Sequence, residues 1–170
     1  MVAHGTSTPQ NRTTESMILN ETAKVFDIDK WIVAANKCYV GHPLSPASGD
    51  QLAMVLGSFN QGIIPGIATI DEVAEDVNDS NLNIRQQHHE VGRDAMDMAF
   101  INSKGFGGNN ATGSVMAPHI VESMLEKRVG RKAFNAYLAR NEKTKEKAEP
   151  SSNNICASRR IARAMAMRCF

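Results

Sequence analysis

The most constraining feature of the sequence is the polar stretch over residues 36–49, which carries Lys37 and His42. Before it comes the nearly all-apolar run 31–35, a pattern typical of a strand that is covered on both faces. After it comes the mostly small or apolar segment 47–59, which predicts a buried helix. Strand, polar turn and helix in this order predict an α/β fold. The turn would hold an ammonium and an imidazole at one end of the sheet, where the N-terminus of the following helix favours anions.

Two further motifs support a site at this turn, since a lysine and a histidine at this spacing are weak evidence by themselves. The sequence His-Gly-Thr-Ser-Thr-Pro occupies residues 4–9, and the glycine-rich sequence Gly-Phe-Gly-Gly occupies residues 105–108. In this order, the three motifs resemble the C-terminal half of the β-ketoacyl-acyl carrier protein synthases, the condensing enzymes of fatty acid and polyketide synthesis. The resemblance extends from the first residues to about Ala117.

The resemblance implies an α/β fold, namely the C-terminal half of a thiolase-type α/β/α/β/α sandwich. Alternating strands and helices along the sequence permit that architecture. Members of the family join an acyl chain held on a cysteine to a malonyl group carried by acyl carrier protein, with loss of carbon dioxide. The family's cysteine lies well upstream of the His-Gly-Thr motif, so we expect this chain to lack the nucleophile and to be inactive alone. The implied partners are acyl carrier protein and either the missing N-terminal half or a homologous synthase subunit.

The resemblance also assigns roles to residues of the three motifs. His4 and His42 match the two histidines that donate hydrogen bonds from Nε2 to the malonyl thioester carbonyl and so stabilise the enolate formed on decarboxylation. Lys37 matches the family's active-site lysine, to which we assign an electrostatic and orienting role. Thr6 and Thr8 match positions that bind the phosphopantetheine arm. The glycine-rich turn would form the oxyanion hole and the gate of the acyl pocket, with residues Gly105, Phe106, Gly107 and Gly108.

Two alternative functions fit parts of the same pattern. Thiolases have a similar histidine turn, here Gly-His-Pro-Leu over 41–44, but they carry a second catalytic cysteine in the glycine-rich turn, where this sequence has none. A thiolase-like acyltransferase is therefore the nearest enzymatic alternative. A non-catalytic subunit that pairs with a separate synthase would explain the absent nucleophile. It would not explain the presence of His4, Lys37 and His42.

Three departures from the family pattern indicate a divergent branch and leave the acyl chain length and the starter open. Asn36 precedes the lysine where Ser or Thr is usual, Lys104 precedes the glycine-rich turn where an aromatic residue is common, and Asn109 stands where Thr or His is frequent. Cys38 adjoins Lys37, but the family's nucleophile lies elsewhere, so we interpret Cys38 as a structural or incidental thiol.

Composition argues against several other classes of function. Hydrophobic residues make up 42% and charged residues 22%, with a net charge of +1, so neither nucleic acid nor a membrane surface is an expected partner. No apolar run is long enough to span a bilayer. The three cysteines lack a Cys-x-x-Cys pair and fit a reducing, cytoplasmic setting. No metal or organic cofactor is expected, because the histidines lack ligand spacing; the substrate would be carried on the phosphopantetheine of acyl carrier protein. His88 and His89 are interpreted as an exposed loop pair.

The remaining patterns divide the chain into three parts. Residues 1–117 form the synthase-like domain, with helices predicted over 13–26 and 46–60, a loop-rich excursion over 71–83, and strands over 95–102 and 111–116. Residues 118–149 form a helical extension that ends near Ala148. Residues 150–170 form a basic tail, which we expect to be a frayed, solvated terminus.

Overall fold

A computed structural model describes residues 1–166, with side chains up to residue 148. The chain divides into two compact units, Met1–Val121 and Glu122–Phe170. The first unit contains every site residue predicted above. Within the described residues, no helix combines the length and the apolar character needed to cross a membrane.

The sheet of the first unit is organised around its N-terminal residues. Val2 forms parallel bridges with Ala34 on one side and with Ile101 on the other. Beyond Ala34, strand β1 (Trp31–Ile32) pairs in parallel with β3 (Leu82–Asn83). Beyond Ile101, β5 (Met98–Lys104) pairs antiparallel with β6 (Asn110–Met116). Residues 1–3 are therefore the middle of a mixed sheet, because they join two strand pairs that are distant in sequence.

Helices lie on both faces of this sheet. Ala3 packs in a core cluster with Leu19 and Ala23 of α1 (Pro9–Val25), whereas Val2 packs with Val55 and Phe59 of α3 (Ala47–Gln61). Successive side chains of an extended segment point to opposite faces, so α1 and α3 cover opposite sides of the sheet. Such an α/β/α layering is the arrangement expected of a thiolase-type half.

The helices differ in detail from the sequence predictions. α1 begins at Pro9 instead of residue 13, since proline is favoured in the first turn of a helix. α3 ends at Gly62 in the left-handed conformation, as predicted, but it buries only one face: Ala47, Gln51, Val55, Ser58 and Phe59. The predicted buried helix is therefore buried along one face and exposed along the other. Lys37 lies in a short helix, α2 (Lys37–Val40), and not in a turn.

The strand predictions were correct in kind and shifted in position. The predicted strand 31–35 is reduced to β1 and the bridge at Ala34. The strand predicted over 95–102 is β5, which starts at Met98 because Arg93–Ala95 form a 3-10 turn. The predicted return strand is β6, in a seven-residue antiparallel ladder. The excursion also contains β3, which the sequence analysis assigned to a loop.

Within the first unit, residues 62–97 contain a second short strand pair. β2 (Ile63–Ile64) pairs antiparallel with β4 (His89–Glu90). The prediction of two exposed histidines is wrong for His89, which is buried at 3% exposure, although His88 is exposed. His89 lies in β4, where it pairs with Ile64, whereas His88 precedes the strand.

The second unit is helical where it is described. α4 (Pro118–Val129) ends at Gly130, whose φ of +81° favours glycine, and α5 spans Arg131–Ala166. The helix thus continues past Ala148, where the sequence predicted its end. The side chains of the predicted basic tail over 150–170 lie outside the described residues, as do residues 167–170 altogether.

Candidate active site

The site lies where three neighbouring parallel segments end. His4 follows the central segment at Ala3, Asn36 and Lys37 follow the segment that ends at Ala35, and Lys104 is the last residue of β5. Because parallel strands present their carboxyl ends at the same edge of a sheet, residues far apart in sequence come together there. Lys37 therefore lies at one end of the sheet, close to His4.

His4 is buried and has a defined tautomer. Its Nδ1 accepts a hydrogen bond from the backbone N–H of Lys104 at 3.2 Å. A neutral imidazole whose Nδ1 accepts must carry its proton on Nε2. Burial lowers the pKa of His4, and the positive charge of Lys37 lowers it further, partly opposed by Glu15. His4 is therefore a neutral ring that offers an Nε2–H donor.

His42 has the same tautomer, which a different backbone hydrogen bond determines. The backbone N–H of Leu44 donates to its Nδ1 at 3.2 Å, so Nε2 again carries the proton. Leu44 adopts a φ of +60°, an uncommon value for a residue with a side chain. The rings of His4 and His42 meet edge to face, with centroids 5.2 Å apart. The site thus presents two Nε2–H donors from adjacent neutral rings.

Lys37 lies behind His4 and is itself 9% exposed. Its Nζ is 3.5 Å from His4 Nδ1. Burial lowers the pKa of Lys37, whereas the carboxylates of Glu15 and Asp50 raise it. An ammonium at this distance disfavours a second positive charge on the ring. Lys37 therefore helps keep His4 neutral and keeps its Nδ1 an acceptor.

Glu15 is a site residue that the sequence analysis missed. It is 4% exposed, and both carboxylate oxygens accept hydrogen bonds. Oε1 accepts from the backbone N–H of His4 at 2.8 Å and from Asn102 Nδ2 at 2.6 Å, and Oε2 accepts from the backbone N–H of Gly5 at 3.0 Å. Its signal in the sequence was weak, because the buried positions of α1, residues 15, 16, 19, 20 and 23, include three polar side chains.

The cavity beside the two histidines has a volume of about 300 Å³. Its walls come from the histidine loop, α3 and the glycine-rich turn, with these residues among others: Leu44, Ser48, Ser103, Gly105 and Asn109. Ser48 and Ser103 share a hydrogen bond of 2.8 Å between their hydroxyl oxygens. The polar rim, together with two ring N–H donors, is suited to a substrate that carries a carbonyl oxygen.

The glycine-rich turn has the backbone conformations that its sequence predicts. Gly107 and Gly108 have φ values of +77° and +80°, and the N–H of Gly105 donates to Asn109 O at 2.7 Å. Phe106 is 96% exposed and its ring does not line the histidine cavity. The proposed roles of Phe106 in an oxyanion hole and as a gate stay predictions.

The two threonines of the first motif lie apart from the histidine cavity. Thr6 and Thr8 place their hydroxyl oxygens 3.5 Å from each other, and Thr8 is exposed at the start of α1. Neither lines the cavity beside His4 and His42. Their assignment to the phosphopantetheine arm stays a prediction.

The chain is similar to a segment of a known condensing enzyme. No family model matches the chain. The relative in question is the β-ketoacyl-[acyl-carrier-protein] synthase FabY of Pseudomonas aeruginosa, which is 53% identical over 146 residues. That match covers 86% of this chain and 23% of FabY.

Structural comparison gives the same result. The crystal structure of the ketosynthase FabY matches 88% of this chain and 23% of its own chain, with a TM-score of 0.84 and 51% identity. A fatty acid synthase subunit alpha of Emericella nidulans is 27% identical over 162 residues, which are 93% of this chain and 10% of that protein. The predicted resemblance and the thiolase-type fold are therefore confirmed. The chain spans less than a quarter of FabY's length.

Proposed function

We propose that this chain is the part of a β-ketoacyl-acyl carrier protein synthase that binds the malonyl thioester and stabilises the enolate formed from it. The observation that supports the proposal most directly is the pair of occupied Nδ1 atoms. Because backbone N–H groups donate to Nδ1 of His4 and of His42, the proton of each neutral ring lies on Nε2, and both residues line the cavity. Two neighbouring ring N–H donors can bind one carbonyl oxygen on which negative charge develops.

The proposed reaction uses these two donors. The malonyl thioester carbonyl accepts from Nε2 of His4 and of His42. The bond between the α-carbon and the carboxylate breaks, and carbon dioxide leaves. The electron pair of that bond forms the enolate, whose oxygen the two rings stabilise. The α-carbon then attacks an acyl thioester on a cysteine supplied by the remainder of the synthase, and the thiolate leaves. Acyl carrier protein is the proposed carrier of the malonyl group, on its phosphopantetheine.

Hydrogen-bond donors and one thiolate suffice for this chemistry, so the proposal includes no metal or organic cofactor. Lys37 does not act as a base, because its ammonium would first have to lose a proton. Its task is to keep His4 neutral from a distance of 3.5 Å. The synthase is preferred over a thiolase because the glycine-rich turn has no cysteine. The unpaired cysteine pattern makes the cytoplasm the proposed location.

A chimeric enzyme tests the proposal. The segment of P. aeruginosa FabY that matches residues of this chain is replaced by the chain itself, and release of carbon dioxide from malonyl-acyl carrier protein is measured together with formation of the β-ketoacyl product. The chimera should be active, and His42→Ala should lower kcat by roughly 100- to 1,000-fold, the usual cost of one oxyanion donor. His119→Ala, which changes a histidine outside the cavity, is the matched control.

Two results would contradict the proposal. One is a folded chimera that binds malonyl-acyl carrier protein but releases no carbon dioxide. The other is an active chimera in which His42→Ala and His119→Ala have equal activity. Either result would favour a non-catalytic role for the chain, because the two Nε2–H donors would then contribute nothing to decarboxylation.

A further inference from the structure

Gln51 of α3 has the largest completely buried side chain in the described part of the molecule. Its Nε2 donates to the backbone carbonyls of Ala3 and Asn102, both at 2.9 Å. Its Oε1 accepts from the hydroxyl of Ser103 at 3.4 Å. Carbonyl oxygens can only accept, so these partners determine which end of the amide is the NH2 group. A buried amide with both donors used suggests a specific task, since a half-satisfied one would destabilise the fold.

The first clue to that task is the hydrogen-bond ladder between the central segment and β5. Val2 donates to Phe100 O at 2.7 Å and accepts from the N–H of Asn102 at 3.0 Å. In a continued parallel ladder, the N–H of His4 would next donate to Asn102 O. Instead, the N–H of His4 donates to Glu15, and Gln51 donates to Asn102 O. Two side chains thus replace one backbone hydrogen bond.

The ladder on the other side of the central segment ends in the same way. The N–H of Ala3 donates to Ala34 O at 2.9 Å. The next bond of a continued ladder would join the N–H of Asn36 to Ala3 O. Ala3 O accepts from Gln51 instead. The amide of Gln51 therefore donates to the last backbone carbonyl of each ladder.

The consequence falls on the next residue of β5. Had the ladder continued, the N–H of Lys104 would have donated to the backbone carbonyl of His4. It donates instead to Nδ1 of the His4 ring, at 3.2 Å. With Gln51 on Asn102 O and the N–H of His4 bound to Glu15, the N–H of Lys104 is free to donate to the ring, where Lys37 Nζ lies farther away at 3.5 Å.

We propose that Gln51 is a positioning residue for His4: by ending both ladders, it directs the N–H of Lys104 to Nδ1 of the ring and keeps the proton on Nε2. The catalytic consequence rests on the function proposed above, whereas the tautomer itself does not. Gln51 touches no substrate, so its effect on the reaction passes entirely through His4.

The tautomer can be measured directly on the 170-residue chain by ¹⁵N nuclear magnetic resonance of its histidine rings. Gln51→Met keeps the size and the apolar stem but removes both donors. We expect His4 to change from the Nε2–H form to a mixture of tautomers, with the circular dichroism spectrum unchanged. Gln61→Met, an exposed glutamine at the end of the same helix, should leave the His4 signals where they are. A folded Gln51→Met variant that keeps the wild-type His4 signals would overturn the proposal.

A measurement without a substitution covers the case in which Gln51→Met fails to fold. In the wild-type chain, both side-chain Nε2 protons of Gln51 should exchange with solvent far more slowly than those of Gln61. Equal exchange rates would overturn the proposal, because the two carbonyl hydrogen bonds would then not persist in solution.

Kinetics separate this inference from the proposed function. In the chimeric synthase, Gln51→Met should lower kcat roughly ten- to 100-fold, with a smaller change in KM, since a displaced donor weakens the transition state most. A change in KM alone would contradict a positioning role. If the wild-type chimera is inactive, the proposed function fails while the tautomer measurement still decides the role of Gln51.

Discussion

The buried carboxylate of Glu15 allows a prediction whose size follows from its contacts. Glu15→Gln changes one oxygen into an NH2 group without changing the shape of the side chain. The remaining oxygen would keep the stronger pair of donors, the N–H of His4 and the amide of Asn102, at 2.8 and 2.6 Å. The new NH2 group would then face the N–H of Gly5 and the amide of Asn11, which lie 3.0 and 3.1 Å from Oε2.

The expected loss can be estimated bond by bond. The amide of Asn11 can turn and accept from the new NH2 group, so its hydrogen bond is retained in reversed form. The N–H of Gly5 can only donate, so its hydrogen bond is lost, and an unsatisfied donor of this kind lowers the free energy of unfolding by about 1–3 kcal/mol. The two bonds that remain lose the strength that a charged acceptor gives them, about 1 kcal/mol in total. The free energy of unfolding should therefore fall by about 2–4 kcal/mol.

Urea unfolding followed by circular dichroism measures this change. Glu21→Gln is the matched control, because Glu21 lies on the exposed face of the same helix and its carboxylate pairs with Lys24, at 2.7 Å. Such surface pairs contribute less than about 1 kcal/mol. If Glu15→Gln and Glu21→Gln unfold at the same urea concentration with equal slopes, Glu15 does not hold the His4 segment in the way described here.

Three further predictions follow from other parts of the first unit. Burial lowers the pKa of His4 and of His89 from 6.5, so the unfolded chain binds protons first as the pH falls. As the pH is lowered from 6.5, the free energy of unfolding should then fall by up to about 1.4 kcal/mol per pH unit for each ring. Urea titrations at a series of pH values measure this change, and a flat profile would contradict the prediction. Gly66→Ala should destabilise the chain by at least about 2 kcal/mol in thermal or urea unfolding, because the added Cβ would overlap two backbone carbonyls of the facing loop. Gly49→Ala is the control: it lies in open space on α3 and should raise the free energy of unfolding by about 0.5–1 kcal/mol. Tyr39→Phe removes the hydroxyl that donates to Gly66 O at 2.7 Å and should cost about 1 kcal/mol, with an unchanged stability counting against that contact.

Local patterns were sufficient to predict much of the fold. α3, its end at Gly62 and the hairpin of β5 and β6 each depend on residues that are near one another in sequence. The three motifs also singled out His4 and Lys37, which the fold brings within 3.5 Å of each other. These features share a local signal: either the spacing of apolar residues or a glycine at a fixed position, within a short stretch of sequence.

The features that escaped prediction depend on distant partners. The two residues of β3 become a strand only because β1 lies beside them, and no window around Leu82 contains that information. Glu15 and Gln51 resemble ordinary helical residues until the ends of the neighbouring strands are placed against them. His89 seemed exposed because its neighbours are polar, whereas its pairing with Ile64 turns the ring inward.

The central position of Val2 in the sheet has a consequence for how the chain folds. Its two bridges connect it to Ala34 and to Ile101, and the bond that orients His4 joins residues 100 positions apart. Contacts of this span close large loops, which slows folding far more than it affects the final stability. α1 and the β5–β6 hairpin can form early from local contacts, but His4 meets Lys104 only when the last long loop closes. Partly folded forms of this chain would therefore have helices and a hairpin, and no assembled histidine pair.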